Sequence, residues 1–377
     1  MSSKKLCFVV DDIEFFLSHR MDLAIELSRF YQINLISNLR NISSKYLKVF
    51  QKNNFIVHNL SSRNRSRFFY GYIEYLKNLK RLLNEINPKY ILFITLELSF
   101  LGAIVCHFVK TKKALFLITG LGPFFNKKEV KYRFIKIVQK IAFSSLRYKK
   151  NFLFIFQNPD DLKLFISQNF VKKSYAMMIK GNGINIHDYY FLERKFEKNL
   201  TFLFASKLIK SKGIIEFLDA SKIILKKYPT TKFLIAGKYD DLNPDSISYK
   251  EYRNIISDIS ISYLGNLSQI ELKEYFYKSS VFVMPSYGEG LPRVVLEAAA
   301  TGMPIITTNV HGCRECVMPG YNGLLVEPMN EIELAEAMES FILNTLDLSQ
   351  YSKNSYEMVK NDYSLELITK EYLNALN

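Results

Sequence analysis

The sequence predicts an α/β protein made of two parallel, doubly wound sheets in succession. Three observations lead there. The chain has 377 residues, more than one compact α/β domain of ordinary size needs and enough for two. Apolar residues make up 48% of it, which supports two cores and excludes a disordered chain. Short apolar runs alternate with amphipathic segments from end to end, the rhythm of β-α-β units and a parallel sheet.

Taken in order, the elements read as follows. Residues 6–10 form a first strand and 20–30 a helix. Strands at 33–36 and 55–57 follow, then a long helix over 67–85. A strand at 90–94, a helix at 98–109, a strand at 115–118, a helix near 129–149 and a strand at 152–156 complete the first half. The rhythm pauses at Gly181-Asn-Gly-Ile-Asn-Ile-His187 and the polar stretch to Asn199. It restarts with a strand at 201–205, a helix at 213–226 and strands at 232–236 and 262–264. A helix at 269–277, a strand at 281–284, a helix at 292–301 and strands at 304–307 and 324–326 come next, and two helices finish the chain. This predicts a domain over 1–190, a second over 191–360, and a terminal helix over 361–377 that returns to the first.

Charge narrows the partners. Lys and Arg number 51 against 36 Asp and Glu, a net +15. That excess suits phosphorylated substrates or an anionic membrane surface, unless it is merely a lysine-rich composition. No recognisable nucleic-acid module accompanies it, so nucleic acid is not expected. The four cysteines are Cys7, Cys106, Cys313 and Cys316, few and unevenly spaced, as in a reducing cytoplasm. Cys313-Arg-Glu-Cys316 has no second Cys/His pair nearby, so no zinc site is expected. Asp240-Asp241 lacks a His/Asp cluster and gives no metal site either. No signal peptide is expected, since the apolar run at 6–10 ends at Asp11-Asp12. Residues 90–109 are long enough to cross a bilayer, but Glu97 at mid-span is costly in lipid. The run divides instead into a buried strand and a helix.

Chemistry concentrates in the second half. Met284-Pro-Ser-Tyr-Gly-Glu-Gly-Leu-Pro-Arg-Val-Val-Leu-Glu-Ala298 reads as a buried strand, a glycine-punctuated loop and a helix opened by Pro292. Amides at such a helix start have no intrahelical partners and attract anions. Glu289 in the loop suits sugar hydroxyls. Glu297 in the helix suits a ribose diol, or is a solvated helix charge. Ala205-Ser-Lys-Leu-Ile-Lys-Ser-Lys-Gly213 links another strand to a helix. Lys207 and Lys212 flank that turn and suit a diphosphate whose charge grows as it leaves; the alternative is a basic surface loop.

These segments resemble the retaining glycosyltransferases of family 4. The resemblance spans essentially the whole chain and implies the GT-B fold, two facing Rossmann-like domains with the site in the cleft between them. Glu289 and Glu297 fit the family's pair of glutamates with seven residues between. The family's basic pair falls on Lys207 and Lys212, with Lys207 where the family has arginine. That substitution loses a bidentate fork on phosphate but keeps the charge. Ser206, Gly290, Leu291 and Pro292 belong to the same two loops, and Tyr263-Leu264-Gly265 resembles the strand that frames the nucleobase. Thr301-Gly-Met-Pro-Ile-Ile306 and Val310-His-Gly-Cys-Arg-Glu315 also fit. The implied donor residues are therefore Ser206, Lys207, Lys212, Tyr263, Leu264, Gly265, Glu289, Gly290, Leu291, Pro292 and Glu297, with Glu289, Lys212 and Lys207 nearest the chemistry. No metal and no cofactor is implied beyond a nucleotide-diphosphate sugar, with uridine diphosphate the expected carrier.

The first half is similar to a narrower branch, bacterial enzymes that extend undecaprenyl-diphosphate-linked sugars, several of which transfer an N-acetylhexosamine in α-1,3 linkage. Phe15-Phe-Leu-Ser-His-Arg20 and Thr119-Gly-Leu-Gly-Pro-Phe124 resemble its acceptor loops. His19, Arg20, Gly120, Leu121 and Gly122 are the implied acceptor residues; His19 is otherwise an ordinary satisfied histidine, and the glycines a tight turn. The resemblance implies transfer of a hexose or N-acetylhexosamine to a lipid-linked saccharide in O-antigen, capsule or glycoprotein assembly, peripherally at the inner face of the cytoplasmic membrane. The alternatives are a catalytically silent glycan-binding subunit and a sugar-nucleotide epimerase. Residues 127–150 carry nine Lys/Arg and one acid, with Val130, Phe134, Ile137, Val138, Ile141 and Tyr148 at helical spacing. That basic amphipathic helix suits an anionic bilayer, or packs its apolar side on the sheet. Arg63, Arg65 and Arg67 beside Phe68, Phe69 and Tyr70 form a second candidate patch.

Overall fold

The computed structural model of the chain describes residues 4–39, 42–61, 68–120, 130–146, 150–194, 199–257, 260–344 and 346–377. It divides into two units, Met1–Gly183 with Leu365–Asn377, and Ile184–Ser364. The first unit contains β1 (Lys5–Asp12), α1 (Ile13–His19), α2 (Met21–Ser28), β2 (Gln32–Asn38), α3 (Ser44–Lys52), β3 (Ile56–Asn59) and α4 (Phe68–Ile86). It continues with β4 (Tyr90–Ile94), α5 (Leu96–Val105), β5 (Lys113–Ile118), α6 (Val130–Leu146), β6 (Phe152–Phe156), α7 (Pro159–Ser167) and β7 (Ala176–Met178). These seven strands form one sheet in the order β3-β2-β1-β4-β5-β6-β7, and every pairing is parallel.

The sheet is covered on both faces, and that is why its strands are continuously apolar rather than alternating. Every residue of β4 is buried. Its odd positions Ile91 and Phe93 join one core cluster, and Leu92 and Ile94 join the other. The 90–109 run is thus a strand and a helix, and no described helix is long and apolar enough to cross a membrane.

The second unit contains β8 (Thr201–Ala205), α8 (Ile214–Lys227), β9 (Lys232–Ala236), α9 (Tyr249–Ser257), β10 (Ile261–Gly265), α10 (Gln269–Lys278) and β11 (Val281–Met284). Then come α11 (Arg293–Ala300), β12 (Ile305–Thr308), β13 (Gly323–Val326), α12 (Glu331–Ile342) and α13 (Leu348–Asp362). Its sheet runs β10-β9-β8-β11-β12-β13, again parallel throughout. Strand order reverses between β8 and β11. Ligands of open α/β sheets bind beyond the carboxyl ends of the strands at such a switch point.

Among the described residues three helices rather than two follow β13, the last being α14 (Leu365–Leu376). The surplus is α13, whose polar sequence hides its start; there Asp347 accepts from the Gln350 amide at 3.1 Å. The boundary falls at 183 rather than 190, because Ile184 already pairs with the second unit, its N–H donating to the Tyr363 carbonyl at 2.8 Å. The return to the first unit begins at Leu365 rather than 361.

Candidate functional site

The two loops that follow β8 and β11 flank the switch point and pack on each other. Strand β8 ends at Ala205, and a short 3-10 turn over Lys210–Lys212 leads to Gly213 and α8. Gly213 has φ +74°, and a Cβ there would stand 2.1 Å from the Pro285 carbonyl oxygen, so only glycine lets the loops meet this closely. The Ser211 carbonyl accepts from the Tyr287 amide at 2.8 Å and from Ser286 Oγ at 3.0 Å. Lys212 Nζ pairs with Glu289 Oε1, and Ser286 Oγ donates to the same oxygen at 3.3 Å. Both ionic side chains are about one-fifth exposed, 22% and 19%. Tyr287 donates its hydroxyl to Glu216 Oε1 of α8 at 2.6 Å, and burial, reinforced by this bond, pushes the phenol far up.

A third loop closes over the second. Gly312, at φ +78°, lies so near the Glu289 carbonyl that a Cβ would come within 2.1 Å of it. The His311 carbonyl accepts from the Glu289 amide at 3.4 Å. Cys313 and Cys316, just beyond, are fully buried thiols; burial pushes the Cys313 thiol up to about 12. They fill the core beneath the loop.

Pro292 is the residue before the helix rather than its first helical residue, with ψ 103° and no side chain capping the start. Glu297 is not a solvated charge. It is 5% exposed, and its Oε1 accepts from Arg293 Nε at 2.8 Å and Gln269 Nε2 at 2.9 Å. Neither partner was expected from the sequence, although Arg293 stands at the i,i+4 spacing that pairs helix charges. Gly290 and Leu291 are half-buried between the glutamates, Ser206 is half-buried beneath the first loop, and Lys207 is exposed beside it.

On the far side of β8, Tyr263 donates its hydroxyl to the Gly237 carbonyl at 2.8 Å and packs edge-on against Tyr252. Burial and Tyr252 push its phenol up to about 12. Tyr263 therefore frames the strand end with its ring. Leu264 packs against the core, and Gly265, at φ +77°, has open space where a side chain would stand.

In the first unit, His19 ends α1, stacked on Phe15 with its Nδ1 2.7 Å from Ser18 Oγ. Arg20 departs from expectation. It is 1% exposed and stands beside Tyr372 of α14, which rules its guanidinium out as a surface phosphate ligand in this arrangement. Gly120 follows β5 with φ +150°, whereas Leu121 and Gly122 lie outside the described residues, as do Arg63, Arg65, Arg67 and Tyr148 and the side chains of Phe68, Phe69, Tyr70, Val130 and Phe134. Helix α6 differs from the single apolar side expected: Phe143 and Leu146 face the core, while Ile137 and Ile141 are 57% and 65% exposed.

Comparison with known proteins follows this division. Residues 5–158 match the family model for "Glycosyl transferase 4-like" and residues 189–358 that for "Glycosyl transferases group 1". The chain is a glycosyltransferase, each half matching a glycosyltransferase family model. Among similar proteins is the N,N'-diacetylbacillosaminyl-diphospho-undecaprenol alpha-1,3-N-acetylgalactosaminyltransferase of Campylobacter jejuni, 26% identical over 79% of this chain and 80% of that one. Another is the capsular polysaccharide biosynthesis glycosyltransferase CapM of Staphylococcus aureus, 24% identical over 100% and 94%. Sucrose-phosphate synthase from Thermosynechococcus elongatus has the same fold, with TM-score 0.77, 16% identity and coverage of 99% and 98%. Anabaena HepE in complex with UDP-glucose is also similar, with TM-score 0.73, 15% identity and coverage of 99% of each chain. The glycosyltransferase thus has the GT-B fold.

Proposed function

We propose that this glycosyltransferase moves a hexose or N-acetylhexosamine, with retention and without a metal, from a uridine-diphosphate sugar to an undecaprenyl-diphosphate-linked saccharide during surface-polysaccharide or glycoprotein-glycan assembly. The observation that carries the donor side is the joining of Lys212 and Glu289 at the switch point of the second sheet. A cation and a carboxylate meet there beside an uncapped helix start. The leaving diphosphate gains charge as the glycosidic bond breaks, and Lys212, Lys207 and the start of α11 supply positive potential without a metal. Glu289 holds sugar hydroxyls. Glu297, fixed by Arg293 and Gln269, takes the ribose diol. Ser206, Tyr263, Leu264, Gly265, Gly290, Leu291 and Pro292 complete the donor walls.

The lipid acceptor is proposed from what the Campylobacter relative acts on, with His19, Gly120, Leu121 and Gly122 as its contacts. Arg20 is left out because it is buried. A lipid acceptor places the reaction at an anionic bilayer surface, with the protein peripheral to its inner face.

The test is a panel of sugar nucleotides with an undecaprenyl-diphosphate-linked saccharide, in the presence of EDTA. Release of uridine diphosphate with an α-linked product is the expected result. Inverted linkage, dependence on a divalent ion, or nucleotide-sugar turnover without any acceptor each contradicts a named part of the proposal.

A further inference from the structure

Asp240-Asp241 begins a loop whose acid nearest the donor loops is Asp245. Residues 240–247 fold tightly on themselves. The Asn243 amide donates to the Asp240 carbonyl at 3.1 Å, and the Asp245 amide to Asn243 Oδ1 at 3.0 Å. The loop then pairs with the first donor loop, through an antiparallel bridge of Ile209 with Ser246 and a 3.4 Å bond from Ser246 Oγ to the Leu208 carbonyl. Ile247, 2% exposed, anchors its far end in the core.

That hydrogen-bonded loop delivers Asp245 to the 3-10 turn over Lys210–Lys212. The Asp245 carbonyl accepts from the Lys210 amide at 2.9 Å. Its Oδ2 accepts from the Ser211 amide at 3.2 Å and from Ser211 Oγ. The Ser211 carbonyl, on the other side, takes the Tyr287 amide and Ser286 Oγ. Ser211 is therefore a hub: Asp245 holds its amide and hydroxyl, and its carbonyl holds the loop that carries Glu289. Lys212 is the next residue.

We propose that Asp245 is a positioning residue for glycosyl transfer, fixing Ser211 and, through it, the places of Lys212 and Glu289. The inference rests on the donor-site reading above. Its energetic logic is preorganisation. A lysine meeting charge that develops only in the transition state works if it is already in place, and a small displacement costs rate more than ground-state binding. Loss of Asp245 should therefore act on kcat more than on donor KM.

The experiment uses the full-length chain, with turnover normalised to the folded fraction, and Lys212→Ala as reference. Asp245→Ala is expected to lower kcat about tenfold while donor KM moves less than about threefold. Asp245→Asn keeps an oxygen that accepts from Ser211, so it should recover most of that loss. Ser211→Ala removes the hydroxyl bond alone and should cost about threefold, and the double variant Ser211→Ala/Asp245→Ala should be no worse than Asp245→Ala. A residue that only supports the fold would lower melting temperature and leave kcat per folded molecule unchanged. Wild-type kcat in Asp245→Ala, or losses that simply multiply in the double variant, overturns the positioning role while leaving the donor site standing. Wild-type turnover in Lys212→Ala overturns the donor-site reading itself, and this role with it.

Discussion

Lys212 and Glu289 already neutralise one another, each about one-fifth exposed. A half-buried pair of this kind loses more when one partner is removed than a surface pair does, because the remaining charge stays desolvated. Lys210 lies two residues away and is exposed, and only its backbone contributes to the turn. Lys212→Ala should therefore lower turnover about a hundredfold to a thousandfold, as removal of a preorganised contact to developing charge does elsewhere. Lys210→Ala should stay near wild type. Lys207→Arg should be tolerated, since a guanidinium adds a phosphate-matching fork. Steady-state turnover with the true donor and saturating acceptor decides it, and equal losses at 210 and 212 would reduce the site to a diffuse basic loop. At this scale the sequence reveals groups that sit on strand ends in a recognisable order, such as Glu289 and Lys212. It hides groups that reach the site through tertiary contact. Gln269 opens α10 and Asp245 belongs to another loop, and nothing in their neighbours announces Glu297 or Ser211 as partners. Arg20 fails in the opposite sense: a phosphate-binding residue type turns out to be interior, because α14, far off in sequence, covers it.

Strands were the most legible elements because both faces of each sheet are buried, leaving short uninterrupted apolar runs between breakers. Helices with weak or absent apolar faces were not. Among them is α13, whose sequence is mostly polar and whose start is fixed by the Asp347 cap; α3 and α9 have an apolar face but are short and of low overall hydropathy. Helix α6 shows what spacing alone leaves out, a second apolar side. Its apolar positions are numerous enough to serve both sides, so Phe143 and Leu146 take the core while Ile137 and Ile141, one turn apart, form an outward ridge with exposed Lys140. An exposed apolar ridge flanked by cations is the composition of an interfacial helix. Replacing Ile137 and Ile141 together by Ser should weaken binding to vesicles containing anionic lipid at least tenfold, given about 1.5–3 kcal/mol for burying each such side chain. Lys140→Glu should weaken it less, on the order of 1 kcal/mol, and only on anionic vesicles. Vesicle sedimentation reads both. Unchanged binding of the double Ile variant means that this ridge is not a bilayer contact.

For the whole molecule, the chain crosses between units twice, and the second crossing ends in α14, which the first unit needs to finish its core. Leu365, Ile368, Tyr372, Ala375 and Leu376 of that helix are buried in the same cluster as Leu6, Phe8, Leu92 and Leu115. Tyr372 is fully buried, and burial pushes its phenol up while the Arg20 charge beside it pulls down. Truncating such a side chain leaves a cavity in a close-packed core, at about 3–5 kcal/mol for an aromatic residue. Because each unit has its own core clusters, that loss should be local. Tyr372→Ala should speed amide hydrogen exchange in β1, β4 and β5 and leave β8, β11 and β12 close to wild type. The first thermal transition should fall by roughly 6–20 °C, as expected for that energy in a unit of this size. A donor-binding assay on the folded protein at low temperature should be unaffected, since every proposed donor residue belongs to Ile184–Ser364. If protection fell equally in both sheets, the units would be folding as one cooperative body. If it fell in neither, α14 would be an ornament on the first sheet rather than part of its core.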